Sequence, residues 1–390
     1  MNARRTIACL RLVGAAILAA LLVSGCATPA LDASRHDFYQ GNYDKAEKEL
    51  ADIPATDKDR VLYLMERGTV RQARGRYEDS SRDFIAASDG IDKLETYSLS
   101  RGASSMVIND AVQDFRGAPY ERSLLHAFTA KDFLALGKWD DAAVEARRII
   151  KTLDPMARGD YPEDAYSRYM AGFCLELIDD PSNAALQYRK AAGLMQSGWI
   201  NENTGRFLAA PPAAGVAPRE AAPAHELVCF ILIGGSGSGS SYAHGGGAVY
   251  ATVENEGQTL GRSYHLSDTA ELAFSTEQVE AVRKAAKTVG RVLVKEAIAE
   301  SFEQRNNPFL ADLIRFVMIG LLERPDTRRW ETLPRLLQVA RVPCPAGLKA
   351  FDVTFRNAAG TPVQTQHVVK PISQRGNIYV SFCRDLPLAP

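Results

Sequence analysis

Little in this chain points to chemistry. Its 390 residues hold no Gly-x-Ser-x-Gly nucleophile elbow, no Gly-Lys-Ser/Thr phosphate-binding ending and no Gly-x-Gly-x-x-Gly turn. The histidines after the N-terminal segment, His36, His126, His225, His244, His265 and His367, are scattered without metal-ligand spacing. No pair of carboxylates stands out from the background of a helix surface. Net charge is also scarce, at −1, which removes the electrostatic drive for capturing nucleic acid or an anionic membrane surface. Beyond the N-terminal segment no run is apolar for long enough to span a bilayer. Cysteine is sparse and matches no zinc spacing. No catalytic residue, metal or cofactor is therefore expected, and the chain reads as a non-enzyme. An apolar content of 46% with 24% charged residues is that of an ordinary folded protein.

What the chain does have begins at its N-terminus. Arg4, Arg5 and Arg11 precede an apolar run from Leu12 to Val23, which closes on Val23-Ser24-Gly25-Cys26. The run is short for a membrane span, which takes about 20 apolar residues. Small residues before a cysteine suit the cleft of a lipoprotein signal peptidase, and a thiol is the acceptor for diacylglycerol. The pattern resembles the bacterial lipoprotein signal, with residues 1–25 removed and Cys26 lipidated. The alternatives are an ordinary secretory signal or a single span. Ala27 stands where an aspartate signals inner-membrane retention in many proteobacteria, so the expected address is the outer membrane, lipid-anchored and facing the periplasm.

That compartment permits disulfides. Cys174, Cys229, Cys344 and Cys383 remain there, and Cys344 precedes one expected strand while Cys383 ends another. A Cys344–Cys383 bridge is the candidate pairing, and four small buried thiols are the alternative.

A recurring sentence follows. Gly41-Asn42-Tyr43-Asp44-Lys45-Ala46 is echoed about 34 residues later by Gly75-Arg76-Tyr77-Glu78-Asp79-Ser80. Further copies are Gly137-Lys138-Trp139-Asp140-Asp141-Ala142 and the degenerate Asp179-Asp180-Pro181-Ser182-Asn183-Ala184. The glycine ends one helix and permits a tight turn, the aromatic wedges between paired helices, and the small residue lets them approach. Gly68 and Gly172 lie seven residues before their turns, and Phe84 and Tyr188 sit four beyond the small residue. The pattern resembles the tetratricopeptide repeat, with residues 92–121 as an insertion between the second and third units. A generic helical bundle is the competing reading. Such arrays leave a concave surface that binds peptides or protein segments. Arg147 and Arg148, in Ala143-Val144-Glu145-Ala146-Arg147-Arg148, are candidate partner-binding residues, against the reading of a solvated helix face with ordinary ion pairs.

After Trp199 the composition changes. Residues 209–218 read as linker, Glu226 to Ile233 and Ala248 to Val253 as strands, and the Gly/Ser-rich 234–247 as a loop. A helix is predicted from Thr276, and another from Pro308 through the apolar run to Leu322. Residues 348–355, 363–369 and 377–382 predict a three-stranded antiparallel unit. The expected fold class is α+β: an N-terminal α-solenoid of repeat hairpins over 26–200, a linker over 201–225 and a smaller α+β domain with antiparallel strands over 226–390.

Asp326-Thr327-Arg328-Arg329-Trp330-Glu331-Thr332-Leu333-Pro334 and Gln338-Val339-Ala340-Arg341-Val342-Pro343 stand between the second helix and the last strands. With Tyr120-Glu121-Arg122 and Val144-Glu145-Ala146-Arg147-Arg148, they resemble a widespread, poorly characterised bacterial family of tetratricopeptide lipoproteins. The resemblance implies an outer-membrane envelope protein, often neighbouring small lipoproteins of secretion-channel or peptidoglycan-synthase-activator type, and implies no catalysis. Asp326, Arg328 and Trp330 are candidates both for a buried polar corner and for partner contact. The expected function is a lipid-anchored scaffold for envelope proteins, with no nucleic-acid partner. The alternatives are a cell-wall or ester hydrolase built on His244-Gly245-Gly246-Gly247, which resembles an oxyanion-hole strand but lacks a nucleophile, and a peptidoglycan- or polysaccharide-binding protein.

Overall fold

A computed structural model describes residues 29–52, 58–101, 114–158, 161–208, 210–211, 221–235, 247–283, 328–369 and 373–387. The helical part consists of consecutive antiparallel pairs: α1 (Pro29–Tyr39) with α2 (Tyr43–Glu49), α3 (Arg60–Ala73) with α4 (Tyr77–Arg101), α5 (Pro119–Ala135) with α6 (Trp139–Arg158), and α7 (Ala165–Glu176) with α8 (Pro181–Leu194). Each pair turns at the position its recurring motif marks. Gly41, Gly75, Gly137 and Asp179 have φ of 81°, 73°, 69° and 60°. At all four turns the N–H of the next residue reaches back five positions, as in Arg76 N to Arg71 O at 2.9 Å and Asp180 N to Leu175 O at 3.0 Å. This closure satisfies carbonyls that the ending helix would otherwise leave unpaired.

The small residues Ala46, Ser80, Ala142 and Ala184 are all buried. A Cβ added at Gly68 would stand 2.4 Å from the Phe84 ring, and one at Gly172 would stand 2.9 Å from Tyr188. Close approach within a pair thus depends on these glycines.

The strands are β1 (Trp199–Ile200), β2 (Phe207–Leu208), β3 (Glu226–Ile233), β4 (Ala248–Asn255), β5 (Gln258–Arg262), β6 (Tyr264–Asp268), β7 (Leu336–Pro343), β8 (Phe351–Asn357), β9 (Pro362–Val368), β10 (Ser373–Arg375) and β11 (Ile378–Arg384). A helix over 269–283 follows β6. Five strands form a sheet in the order β10-β11-β3-β7-β6 and four form another in the order β5-β4-β8-β9, with β1 and β2 as a short hairpin. The whole is an α+β chain.

Alternation along the central strand sorts the core into layers. Every residue of β3 is buried. Val228, Phe230 and Leu232 join the core beneath the helices, while Leu227, Cys229, Ile231 and Ile233 join the core shared with the four-stranded sheet. The five-stranded sheet is therefore covered on both faces, and this is why its central strand reads as a continuous apolar run. On β7 the same period puts Leu337, Val339 and Arg341 toward the helices. The helical part and the sheets share one hydrophobic core.

Three sequence expectations need correction. The terminal strands do not form one antiparallel unit. β8 and β9 pair antiparallel, but β11 leaves for the other sheet and runs parallel to β3. Ile378, Val380 and Phe382 pack into the core beneath the helices and Tyr379 and Cys383 into the core shared with the other sheet, as a strand covered on both faces requires, whereas β9 is polar and serves as an edge. The helix expected from Thr276 begins at residue 269, where Asp268 Oδ1 accepts the Ala270 N–H at 2.8 Å and caps it. The Cys344–Cys383 bridge is absent, for all four described cysteines are free. Cys344 N–H bonds to His225 O just before β3 begins, while Cys383 is level with Ile231. Six residues of strand separate those levels by about 20 Å, far beyond disulfide reach. Cys383 Sγ instead lies 3.8 Å from Cys229 Sγ. The helix expected at 308–322 lies outside the described residues.

Candidate partner groove

The strongest candidate for a partner-binding surface lies between α4, α5, α6 and the helix over 269–283. The α6 register explains it. Ala142, Ala143, Ala146 and Ile149 are buried, so Arg148 and Lys151 fall on the flank that faces α5. They line a groove of about 500 Å³ together with Arg122, Leu125, Tyr161 and Arg283. Four cationic side chains meet two carboxylates, Asp92 and Glu95, along this lining.

The cations are held in place. Glu145 is buried at 3% exposure and accepts from Arg148 Nη1 at 3.2 Å, while its other oxygen lies 2.8 Å from His126 Nδ1. Arg122 pairs with Glu95 and also donates through Nε to Arg116 O at 3.1 Å. The Arg283 guanidinium stacks 4.3 Å from the centroid of the Tyr161 ring. Leu125 and Ile91 supply apolar floor. Such a lining suits an acidic side chain flanked by an apolar one.

The sequence candidates separate in space. Arg148 lines the groove, but its neighbour Arg147 is exposed outside it, one residue and about 100° further round the helix. Trp330 and Arg328 are not available to a partner. Trp330 is 1% exposed, and its ring meets Phe84 and Phe128 at 5.6 and 5.4 Å. Its backbone N–H donates to Glu121 Oε1 at 2.6 Å and its indole N–H to Thr69 Oγ1 at 2.9 Å. Arg328 pairs with Asp59 at 2.5 Å beneath the Phe115 ring. The segment after 327 is thus a wedge locked into the helices, and the partner-contact expectation for these two residues is corrected accordingly. Asp326, His244 and Cys26 lie outside the described residues. Among the described residues no group of three or more His, Cys, Asp or Glu side chains could hold a metal ion, and no helix is long and apolar enough to cross a membrane.

Sequence reading missed the polar joint between helices and sheet. Arg341 has a side chain with no exposure. It donates to Glu226 at 2.8 and 2.7 Å and to Glu176 at 2.9 and 2.6 Å. Burial pushes the Glu226 carboxyl up, but hydrogen bonds from Arg341 and Arg206 outweigh it and leave the group below its ordinary value. A second joint centres on Glu66, whose carboxylate accepts from Arg35 Nε, Glu331 N and Thr332 Oγ1. An arginine at an otherwise apolar strand position, as in Val339-Ala340-Arg341-Val342, was the one signal available for the first joint.

No family model matches the chain, and no curated protein matches it. Among solved structures it is similar to the Rap conjugation gene regulator of the plasmid pLS20 in complex with the Phr* peptide. That likeness has 15% identity and a TM-score of 0.28, over 41% of this chain and 40% of that one. The match spans under half the length of the regulator and is too shallow to carry an argument about fold or function.

Proposed function

We propose that this chain is a lipid-anchored, periplasm-facing scaffold of the bacterial envelope. In this reading its helix pairs are tetratricopeptide-type repeats, and its basic groove holds an acidic segment of a partner protein. The observation that carries the groove is the set of cations around Leu125, with Arg148 fixed by a buried glutamate and Lys151 beside it. The repeat assignment is supported by the shared turn geometry at Gly41, Gly75, Gly137 and Asp179 and by the close glycine–ring contacts of the second and fourth pairs. Support for the anchor is the sequence Val23-Ser24-Gly25-Cys26 after a short apolar run. Support for an envelope role is the resemblance carried by the blocks around Trp330 and Arg341. The reading includes no catalytic step. Its mechanism is tethering: lipid sets location and the groove sets specificity.

The anchor is tested by labelling the full-length protein with palmitate in cells. The wild type is expected to take the label and fractionate with membranes, while Cys26→Ser loses both properties. An unlabelled wild type would overturn the anchor and leave the groove to be judged by its own test.

A further inference from the structure

A second cavity, of about 750 Å³, lies on the other side of the helical layer, where α2 and the end of α3 meet the end of β11. Its lining contains Tyr43, Tyr77, Lys131, Phe382 and Arg384, with Arg74 toward the rim. Lys131 is 6% exposed. Its ammonium lies 5.2 Å from the Phe128 ring centroid and 5.4 Å from that of Phe382, and no carboxylate lies within ion-pair distance of it among the described residues. Aromatic faces are a poor substitute for the three acceptors an ammonium can engage.

The surroundings do not supply the missing acceptor. Asp132, the next residue, turns its Oδ1 to Gln72 Nε2 at 2.6 Å, and its buried Oδ2 has no partner. Burial pushes the Asp132 carboxyl up and the Lys131 amine down, and the charge of each partly opposes the other's shift. Arg384 reaches Thr332 O through Nη2 at 2.7 Å, and its guanidinium lies 5.0 Å from the Phe38 ring centroid. Its Nε is buried without a partner. The one acidic residue of the lining, Asp44, is 87% exposed and paired with Arg74. The interior of this cavity is therefore lined by basic side chains and walled by rings.

We propose that this cavity binds a small organic carboxylate with an apolar body, the carboxylate meeting the Lys131 ammonium and the body lying against Phe382, Tyr43 and Tyr77. A monoanion fits better than a phosphate, since Lys131 is the one buried ammonium of the lining. The volume is that of a site for a small ligand or one or two peptide residues. The carboxylate can belong to a free acid or to the C-terminus of a peptide, and the chemistry at Lys131 is the same. The site is separate from the basic groove and does not depend on it.

The test is calorimetric titration of the full-length protein in detergent with 4-phenylbutyrate and its neutral amide. The acid is expected to bind at least tenfold more tightly than the amide, and Lys131→Met to abolish the difference. Parallel titration with N-acetyl-alanyl-phenylalanine and its C-terminal amide distinguishes the sources: tighter binding of the peptide acid assigns the site to a chain terminus, and tighter binding of phenylbutyrate assigns it to a free acid. Equal binding of acid and amide in both pairs overturns the proposal, as does unchanged binding by a folded Lys131→Met. Should that variant fail to fold, ¹³Cε-lysine spectra of the wild type decide the matter. The Lys131 signal should titrate at higher pH with saturating acid, and a midpoint unmoved by the ligand is contradictory.

Discussion

The helix pairs and the joint between helices and sheet are held together by different means. Inside a pair, the recurring contacts are a buried small residue and, in the second and fourth pairs, a glycine against a ring, with the turn closed by main-chain bonds; the second pair adds Arg67 on Asp83. At the joint, buried charges do the work: Arg341 between Glu176 and Glu226, and Glu66 beneath Arg35 and the backbone of Glu331 and Thr332. The recurring glycine–ring contact is local, apolar and uncharged. The joint connects residues as far as 266 positions apart and carries ionisable groups into the interior. Breaking one partner of such a pair costs more than the intact pair contributes, because a charge is left buried without compensation.

The largest effects are therefore expected at the joint. Arg341→Met removes the cation shared by Glu226 and Glu176, leaving Glu226 with Arg206 alone and Glu176 with the Tyr188 hydroxyl, and should destabilise the chain by about 3–5 kcal/mol in urea unfolding. Trp330→Ala, which empties the wedge between Phe84 and Phe128, should cost about 3–5 kcal/mol by the same measurement. A loss below about 1 kcal/mol at either site would contradict a joint held by buried charges and the Trp330 wedge.

Within the helix pairs the expected cost is smaller. Gly68→Ala places a methyl against the Phe84 ring, which cannot retreat because Phe128 and Trp330 pack behind it. A destabilisation of about 1–3 kcal/mol is expected, and it should shrink when Phe84→Leu is added.

The pH dependence separates the two regions further. Glu121 is fully buried, and burial pushes its carboxyl up to about 7 against the opposing hydrogen bonds from the Trp330 and Ala118 N–H groups. A carboxyl raised in the folded state holds its proton there while the unfolded chain has released it. Stability from this group is therefore full below the ordinary glutamate range and is lost as pH rises from about 4.5 to about 7. Glu121→Gln should flatten that decline in unfolding midpoints measured across the range. Gly68→Ala should leave its slope unchanged, and a changed slope would mean the helix pair and the joint are not independent.

The same contrast explains what was legible in the sequence. The turns could be read because each is written in a few adjacent residues, Gly41 through Ala46 for example, and recurs. β3 could be read, with its bounds at Glu226 and Ile233, because a strand covered on both faces is continuously apolar. The parallel partnership of β11 with β3 was not legible, since it depends on register between segments 152 residues apart in the chain. Pairing Cys344 with Cys383 failed for that reason: both ends were read as strand ends, but as ends of one sheet edge. Of the candidate groove, Arg148 was legible from its helix and Arg147 was not separable from it, because an arginine pair shows its facing only once α5 and α6 are packed. The sequence does not mark Lys131 or Asp132. Only the arrival of Phe382 and Arg384 from the far end of the chain makes them interior.

The smallest effect on stability and the largest on function are expected at the groove. Arg148→Glu should change unfolding free energy by no more than about 0.5 kcal/mol, as a half-exposed position does. Arg147, exposed on the same helix outside the groove, serves as its control. The decisive measurement is affinity capture of the full-length protein from crosslinked cells, comparing wild type, Arg148→Glu and Arg147→Glu. A partner recovered with wild type and Arg147→Glu but lost with Arg148→Glu is the predicted result. Equal recovery by all three, or equal loss in both variants, would contradict the groove as the partner site.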